Sequence, residues 1–130
     1  MAVYCCNVGS VASFVPGPYM SVYYATKAFV MSFSIALREE LKKDNIHVSV
    51  LCPGPTDTEF FDVANASFDK MFARTSTDAA KTGYKLFEDN KAYAVDGLSF
   101  KVLVGIARVM PIELAARAVG FIQSKTKKEN

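Results

Sequence analysis

The sequence has no cluster of glycines, no strong charge of either sign and no spaced set of metal ligands. Its seven glycines, Gly9, Gly17, Gly54, Gly83, Gly97, Gly105 and Gly120, are scattered. None forms the glycine-rich turn at a helix start that receives a phosphate. The net charge of +2 is too small to argue for nucleic acid or an anionic membrane as partner. The one basic run, Lys125, Lys127 and Lys128, reads as a solvated end. A single histidine, His47, cannot hold a metal alone; it alternates with Ile46 and Val48 and reads as a strand-edge residue. There are only three cysteines. Cys5 and Cys6 are neighbours on an expected strand, so they point to opposite faces and pair poorly. With Cys52 they are expected to be buried free thiols in a reducing, cytoplasmic compartment. Met1–Val3 carries no basic stretch before an apolar core, so no signal peptide is expected. The most apolar stretch, Leu98 to Ile122, is interrupted by Lys101, Arg108, Glu113 and Arg117 and divided by Pro111. That pattern predicts two amphipathic helices and no membrane span.

What is present is ample apolar material. Of 130 residues, 51% are hydrophobic, which is enough for one globular domain with a real core. Residues 2–8 are nearly all apolar and predict a buried strand of a parallel sheet. Gly9 and Ser10 end it, and Pro16, Gly17 and Pro18 mark a loop. Ser21 is a candidate N-cap for a long helix over 22–43. Its apolar positions, Ala25, Phe29, Phe33, Ala36, Leu37 and Leu41, recur at three and four. Asp44-Asn45 is the expected stop. A second strand is predicted over 46–52, ended by Pro53-Gly54-Pro55. Residues 56–75 mix Phe60, Phe61, Phe68, Met71 and Phe72 with polar residues and predict a loop with one or two short helices. Thr77 with Asp78 predicts a cap for a helix over 78–89. A short strand over 92–95 closes at Asp96-Gly97, and helices follow over 98–109 and 111–124, with Pro111 at a first helical position. Strands alternating with helices predict an α/β fold with a parallel sheet and right-handed crossovers.

One group of residues carries chemistry. Tyr23 and Lys27 stand four positions apart, on one face of the long helix. Ser10 leaves the preceding strand 13 positions before Tyr23. An unperturbed phenol is a poor acid or base at neutral pH, and a cation one helical turn away favours its phenolate. Ser10 beside the phenol would orient a substrate oxygen. Alone, this spacing is weak evidence, since a tyrosine and a lysine meet by chance on many amphipathic helices.

The surrounding text decides the matter. Asn7-Val-Gly-Ser10, Tyr23-Tyr-Ala-Thr-Lys27-Ala-Phe and Pro53-Gly-Pro-Thr-Asp-Thr58 together resemble the short-chain dehydrogenase/reductase family. The three blocks come in family order, at strand ends or helix starts. The resemblance covers nearly the whole chain and implies the C-terminal half of a doubly wound, Rossmann-like sheet with helices on both faces. On this footing residues 1–97 form a partial catalytic half and 98–130 a C-terminal helical extension. The resemblance implies an oxidoreductase that moves a hydride between NAD(P) and a carbonyl or alcohol. NADP is favoured over NAD. It implies Tyr23 as general acid/base and Lys27 as the residue that favours the phenolate and holds the nicotinamide ribose. Ser10 becomes the substrate-polarising hydroxyl, Pro53 and Gly54 the turn under the nicotinamide. Thr56 and Thr58 become contacts to its carboxamide and pyrophosphate. Tyr24 has Ala28, not lysine, four residues on and is assigned to packing or pocket lining. The Phe- and Met-rich segment at 59–75 resembles the family's variable substrate loop and points to an apolar small-molecule substrate, with core cover as the equal alternative. A homo-oligomer through the long helix is expected.

The departure from the family is an absence. The strand and glycine-rich turn that receive the pyrophosphate do not occur, nor does the helix carrying the family's catalytic asparagine. Asn7 lies on a strand and is not that residue. The chain therefore reads as a fragment beginning at the fifth strand, which would leave that strand as an exposed edge. Two other readings stay open: a non-catalytic interaction module of the same fold, and a different reaction, epimerisation or dehydration, on the same scaffold.

Overall fold

The computed structural model of this protein describes residues 1–56 and 73–128. Three parallel strands form one sheet in the order β1-β2-β3. They are β1 (Val3–Val8), β2 (Ile46–Cys52) and β3 (Tyr93–Val95). Four α-helices accompany them among the described residues. They are α1 (Ser21–Glu40), α2 (Ser76–Glu88), α3 (Leu98–Val109) and α4 (Ile112–Lys128). β1 pairs with β2 from Val3 opposite Ile46 to Val8 opposite Leu51, and β2 pairs with β3 from Val50 opposite Tyr93. The predicted parallel α/β architecture is therefore present.

The central strand carries the core. Val48, Val50 and Cys52 alternate onto one face and are each at most 2% exposed. Val50 and Cys52 cluster with Val95 of β3 and Val104 of α3. Met31 of α1, Phe14 of a short 3-10 turn (Val11–Phe14) and Phe100 pack against that cluster. The opposite face of the sheet meets α2. There Tyr4 stacks on His47 and tilts against Phe87. The Cα of Gly83 lies so close to Leu51 that an added Cβ would sit 3.2 Å from its side chain. Helices thus cover both faces, as alternating strands and helices require.

Several expectations need correction. β1 is not buried: five of its six residues are exposed, because among the described residues β2 is the one strand that pairs with it. Cys5 and Cys6 are accordingly exposed free thiols, and only Cys52 is buried. His47 sits on the central strand, half-buried against Tyr4, rather than at a bare edge. Phe29 and Phe33 of α1 face outward. The helix instead turns Ser34 and Met31 inward. Asn7 Nδ2 donates to Ser34 Oγ at 2.8 Å, and that hydroxyl donates to the Val30 carbonyl at 2.6 Å. A buried polar stitch, satisfied at each step, joins strand to helix here.

The caps also differ by a residue or two. Ser21 is the first residue of α1, and Met20 precedes it without a side-chain cap. Thr75, not Thr77, caps α2; its hydroxyl accepts from the Asp78 N–H. Pro111 stands just before α4, its carbonyl accepting from Leu114 and Ala115. The stop after α1 falls where predicted, with Asn45 in the left-handed region at φ 56°. That region is one asparagine tolerates well. Among the described residues no helix is long and apolar enough to cross a membrane. Thr58, Phe60, Phe61, Phe68, Met71 and Phe72 lie outside the described residues.

Candidate active site

The C-terminal ends of β1 and β2 lie side by side, and the candidate residues gather there. Past β1, the Gly9 N–H donates to the Leu51 carbonyl at 2.8 Å and the Val11 N–H to the Pro53 carbonyl at 3.1 Å. The sequence Gly9–Val11 is thereby tied to the start of the Pro53-Gly54 turn. Open α/β sheets bind ligands outside the carboxyl ends of their strands, which is where this junction stands.

Ser10 is 8% exposed and has extended backbone, φ −168° and ψ 163°. It caps the 3-10 turn: its hydroxyl accepts from the Ala12 N–H at 3.1 Å, while its own N–H donates to Ser13 Oγ at 3.2 Å. Capping occupies a lone pair and not the hydroxyl proton. The cap therefore fixes the oxygen while leaving the O–H as a donor.

Tyr23 and Lys27 share a face of α1, as the four-residue spacing requires. The Lys27 ammonium lies 5.8 Å from the centroid of the Tyr23 ring. It also donates to the Val8 carbonyl at 3.3 Å, at the last residue of β1. This bond pins the cation at the strand exit, two residues before Ser10. Burial pushes the Cys52 thiol up from 9.0 to about 11, and the Ser10 backbone and then the Lys27 charge oppose that rise. The structure brings Ser10, Lys27 and the head of the Pro53 turn into one region, with Tyr23 on the helical turn above.

The turn itself is tightly backed. Gly54 is buried, and a Cβ there would lie 2.7 Å from the Phe100 ring of α3. Only glycine lets the backbone approach that ring. Thr56 Oγ1 donates to the Gly54 carbonyl at 3.0 Å, and Thr56 bridges to Arg74 in parallel fashion.

Tyr24 behaves as the packing residue predicted. Its ring covers Gly17 so closely that an added Cβ would meet it at 2.2 Å, and its hydroxyl accepts from Gln123 Nε2 at 3.3 Å. It also lines a cavity of about 540 Å³ with Phe14, Val15, Pro16, Ala28 and Ile112. Tyr23 and Lys27 do not line this cavity, but Ser13, the partner of the Ser10 N–H, does.

Sequence reasoning missed Arg74, Asp96 and Phe100. Arg74 donates to the carboxylate of Asp96, which is 1% exposed. Asp96 was visible only as the residue closing a strand. That this fully buried carboxylate stands beside the Pro53-Gly54 turn, its N–H bonded to the Cys52 carbonyl, is a tertiary fact, since nothing local marks it.

A parallel α/β sheet with helices on both faces, and a strand-exit serine, a helix-borne tyrosine and lysine and a proline-glycine turn at its carboxyl end, define the class: a Rossmann-like scaffold. The comparisons agree. The family model described as short chain dehydrogenase matches residues 5–69, half of the chain. This chain belongs to the short-chain dehydrogenase family. It is similar to a very-long-chain 3-oxoacyl-CoA reductase of Mus musculus, 28% identical over 78% of this chain and 36% of that protein. It is similar to a probable oxidoreductase, EphD, of Mycobacterium tuberculosis, 30% identical over 86% of this chain and 22% of that protein. A short-chain dehydrogenase from Sphingobium yanoikuyae in complex with NADPH matches with TM-score 0.66 and 28% identity, over 79% of this chain and 42% of that one. One from Burkholderia cenocepacia in complex with NADP matches with TM-score 0.70 and 22% identity, over 80% of this chain and 43% of that one. The chain spans well under half the length of each of these proteins.

Proposed function

We propose that this chain carries the catalytic half of an NAD(P)-dependent carbonyl reductase or alcohol dehydrogenase. The observation that carries the reading is the Lys27 ammonium, held by the Val8 carbonyl at 3.3 Å and lying 5.8 Å from the Tyr23 ring. A cation fixed by the backbone stays beside the acid/base residue instead of swinging away during proton transfer. Tyr23 then gives its phenolic proton to the substrate oxygen during reduction, and takes it back during oxidation. Ser10, its oxygen fixed as a cap, donates to the same substrate oxygen and stabilises the negative charge that develops there.

The residues present fit the nicotinamide end of the cofactor. Lys27 has three N–H donors, and one is spent on Val8, which leaves donors for ribose hydroxyls. The Pro53-Gly54 turn, backed by Phe100, and Thr56 would line the ring, with Thr58 beyond them as a contact proposed from sequence. Bound there, the nicotinamide supplies or accepts the hydride. No glycine cluster for the pyrophosphate occurs in the 130 residues, so the phosphate end requires residues beyond this chain. We take the chain to be a fragment of such a protein. NADP is preferred to NAD in this reading; two similar structures are described with NADP or NADPH and one with NAD.

The substrate in this reading is apolar, a 3-oxoacyl thioester being the favoured class. The apolar cavity that opens next to Ser13 supports it, as do relatives named very-long-chain 3-oxoacyl-CoA reductase. A cytoplasmic, reducing location suits three free cysteines. A homo-oligomer through α1 suits the exposed Val22, Phe29 and Phe33.

The test is turnover by the full-length protein with Tyr23→Phe, on NADPH and a panel of ketones including 3-oxoacyl thioesters. The expected loss is at least about a hundredfold in kcat, the scale of general acid catalysis. Undiminished turnover would remove Tyr23 from the role. A second reading, a non-catalytic interaction module, draws on the exposed β1 edge. Micromolar binding of reduced nicotinamide by the 130-residue chain would count against it.

A further inference from the structure

The turn that seats the nicotinamide in the proposed function is held from a distance. Arg74 stands just before α2, far in sequence from β3, and reaches both neighbours of the site. Its N–H donates to the Pro55 carbonyl at 2.8 Å, and it bridges to Thr56. Its guanidinium donates through Nε to Asp96 Oδ2 at 3.3 Å and through Nη2 to Asp96 Oδ1 at 3.5 Å. Asp96 is itself anchored: its N–H donates to the Cys52 carbonyl at 3.2 Å, and Thr82 of α2 donates to its carboxylate at 2.8 Å. The side chain of Arg74 also lies along Gly97, whose φ is +88°; an added Cβ there would come within 3.5 Å of Arg74 Cδ.

This arrangement is a closed clamp. One end is the backbone of Pro55-Thr56, and the other is a carboxylate at the exit of β3. Cys52, the last residue of β2, is bonded to that same exit. Pro53 and Gly54 are the residues between those two fixed points. Stability alone is a poor reason for such a pair. Burying a carboxylate costs several kcal/mol, and an ion pair of this kind is often no more stable than apolar side chains of the same volume. A forked guanidinium does fix geometry, because its donors match a carboxylate in one plane. Asp96 and then Asp78 hold the guanidinium charged.

We propose that Arg74, anchored by Asp96, is a positioning residue that fixes the Pro53–Thr56 turn against the nicotinamide. This rests on the proposed function, because the turn matters to chemistry only if it seats the cofactor. Arg74 touches neither substrate nor the reacting atoms in this proposal; it acts through the backbone of Pro55 and Thr56.

The experiment uses the full-length protein and four variants: Arg74→Met, Arg74→Lys, Asp96→Asn and Arg74→Met/Asp96→Asn. NADPH affinity, KM for NADPH, kcat and thermal midpoint are measured for each. The expected result for Arg74→Met is a rise of about tenfold in both Kd and KM for NADPH, with kcat within about twofold. Arg74→Lys should recover part of the affinity by restoring the charge without the fork. The double variant should bind NADPH no worse than Arg74→Met, since both residues serve one clamp. A lowered thermal midpoint with unchanged cofactor affinity in Arg74→Met would overturn the proposal. So would a fall in kcat with unchanged KM. If Asp96→Asn fails to fold, the two Arg74 variants decide, because that side chain is 39% exposed. Undiminished turnover in Tyr23→Phe sinks the proposed function instead, a failure distinct from either.

Discussion

Cys52 shows how a buried residue beneath the candidate site reports on its surroundings. Its thiol is fully buried beneath the junction of β1 and β2. Burial raises its pKa from 9.0 to about 11, against the Ser10 backbone and the Lys27 charge, while Cys6 adds to the rise. Below pH 9 the thiol is protonated in folded and unfolded chains alike, and the full stability is present. Between pH 9 and about 11 the unfolded chain releases the proton and the folded chain keeps it. Stability therefore falls as pH rises across that window, by about 2–3 kcal/mol in all. Urea unfolding at pH 8, 9, 10 and 11 should show the decline, and Cys52→Ala should flatten it. An equally steep decline in that variant would assign it to other groups.

At the scale of elements, Arg38 does the work that the outward phenylalanines of α1 do not. From the end of that helix its Nη1 donates to the Val48 carbonyl at 2.7 Å. Its Nη2 donates to the carbonyl of Asn90 at 2.6 Å and to its side chain at 3.0 Å. One guanidinium thus joins α1, β2 and the loop between α2 and β3. Val48 precedes the part of β2 that β3 pairs with, so its carbonyl needs this donor. Arg38→Ala should cost about 1–3 kcal/mol, the scale of losing charged donors to part-buried carbonyls. Chemical denaturation measures it; a loss below about 0.5 kcal/mol would mean that water substitutes for the side chain. The helix periodicity in the sequence pointed to Phe29 and Phe33. They stack on each other at 5.6 Å, yet stay exposed, because only Ser34 and its neighbours face the sheet.

At the scale of the molecule, the chain exposes one flank of its sheet. β1 presents Val3, Tyr4 and Val8 to solvent, and α1 presents Val22, Phe29 and Phe33 nearby. Between them lies a groove lined by Asn7, Val8, Phe29, Val30, Phe33 and Ser34. An unpaired strand edge beside apolar side chains templates association. The isolated 130-residue chain should sediment as concentration-dependent oligomers, and Val3→Lys with Val8→Lys should shift it toward monomer. A monomer at all concentrations would show that the edge protects itself.

The sequence by itself determined the local facts. The apolar run of β2 and the stop at Asn45 follow from residue type and spacing. So does the placing of Tyr23 and Lys27 on one face, because a helix repeats every 3.6 residues. Three ordered motifs carried the family. Tertiary structure alone decided what faces what. A run such as Val-Tyr-Cys-Cys-Asn-Val states apolarity but not neighbours, so β1 reads as buried although five of its six residues are exposed. The cation of Lys27 finds the Val8 carbonyl, and Arg74 finds Asp96, across 19 and 22 positions of chain. Periodicity is silent at such separations. Only the packing of one strand end against another brings those groups within hydrogen-bonding reach, and on that packing the proposed chemistry depends.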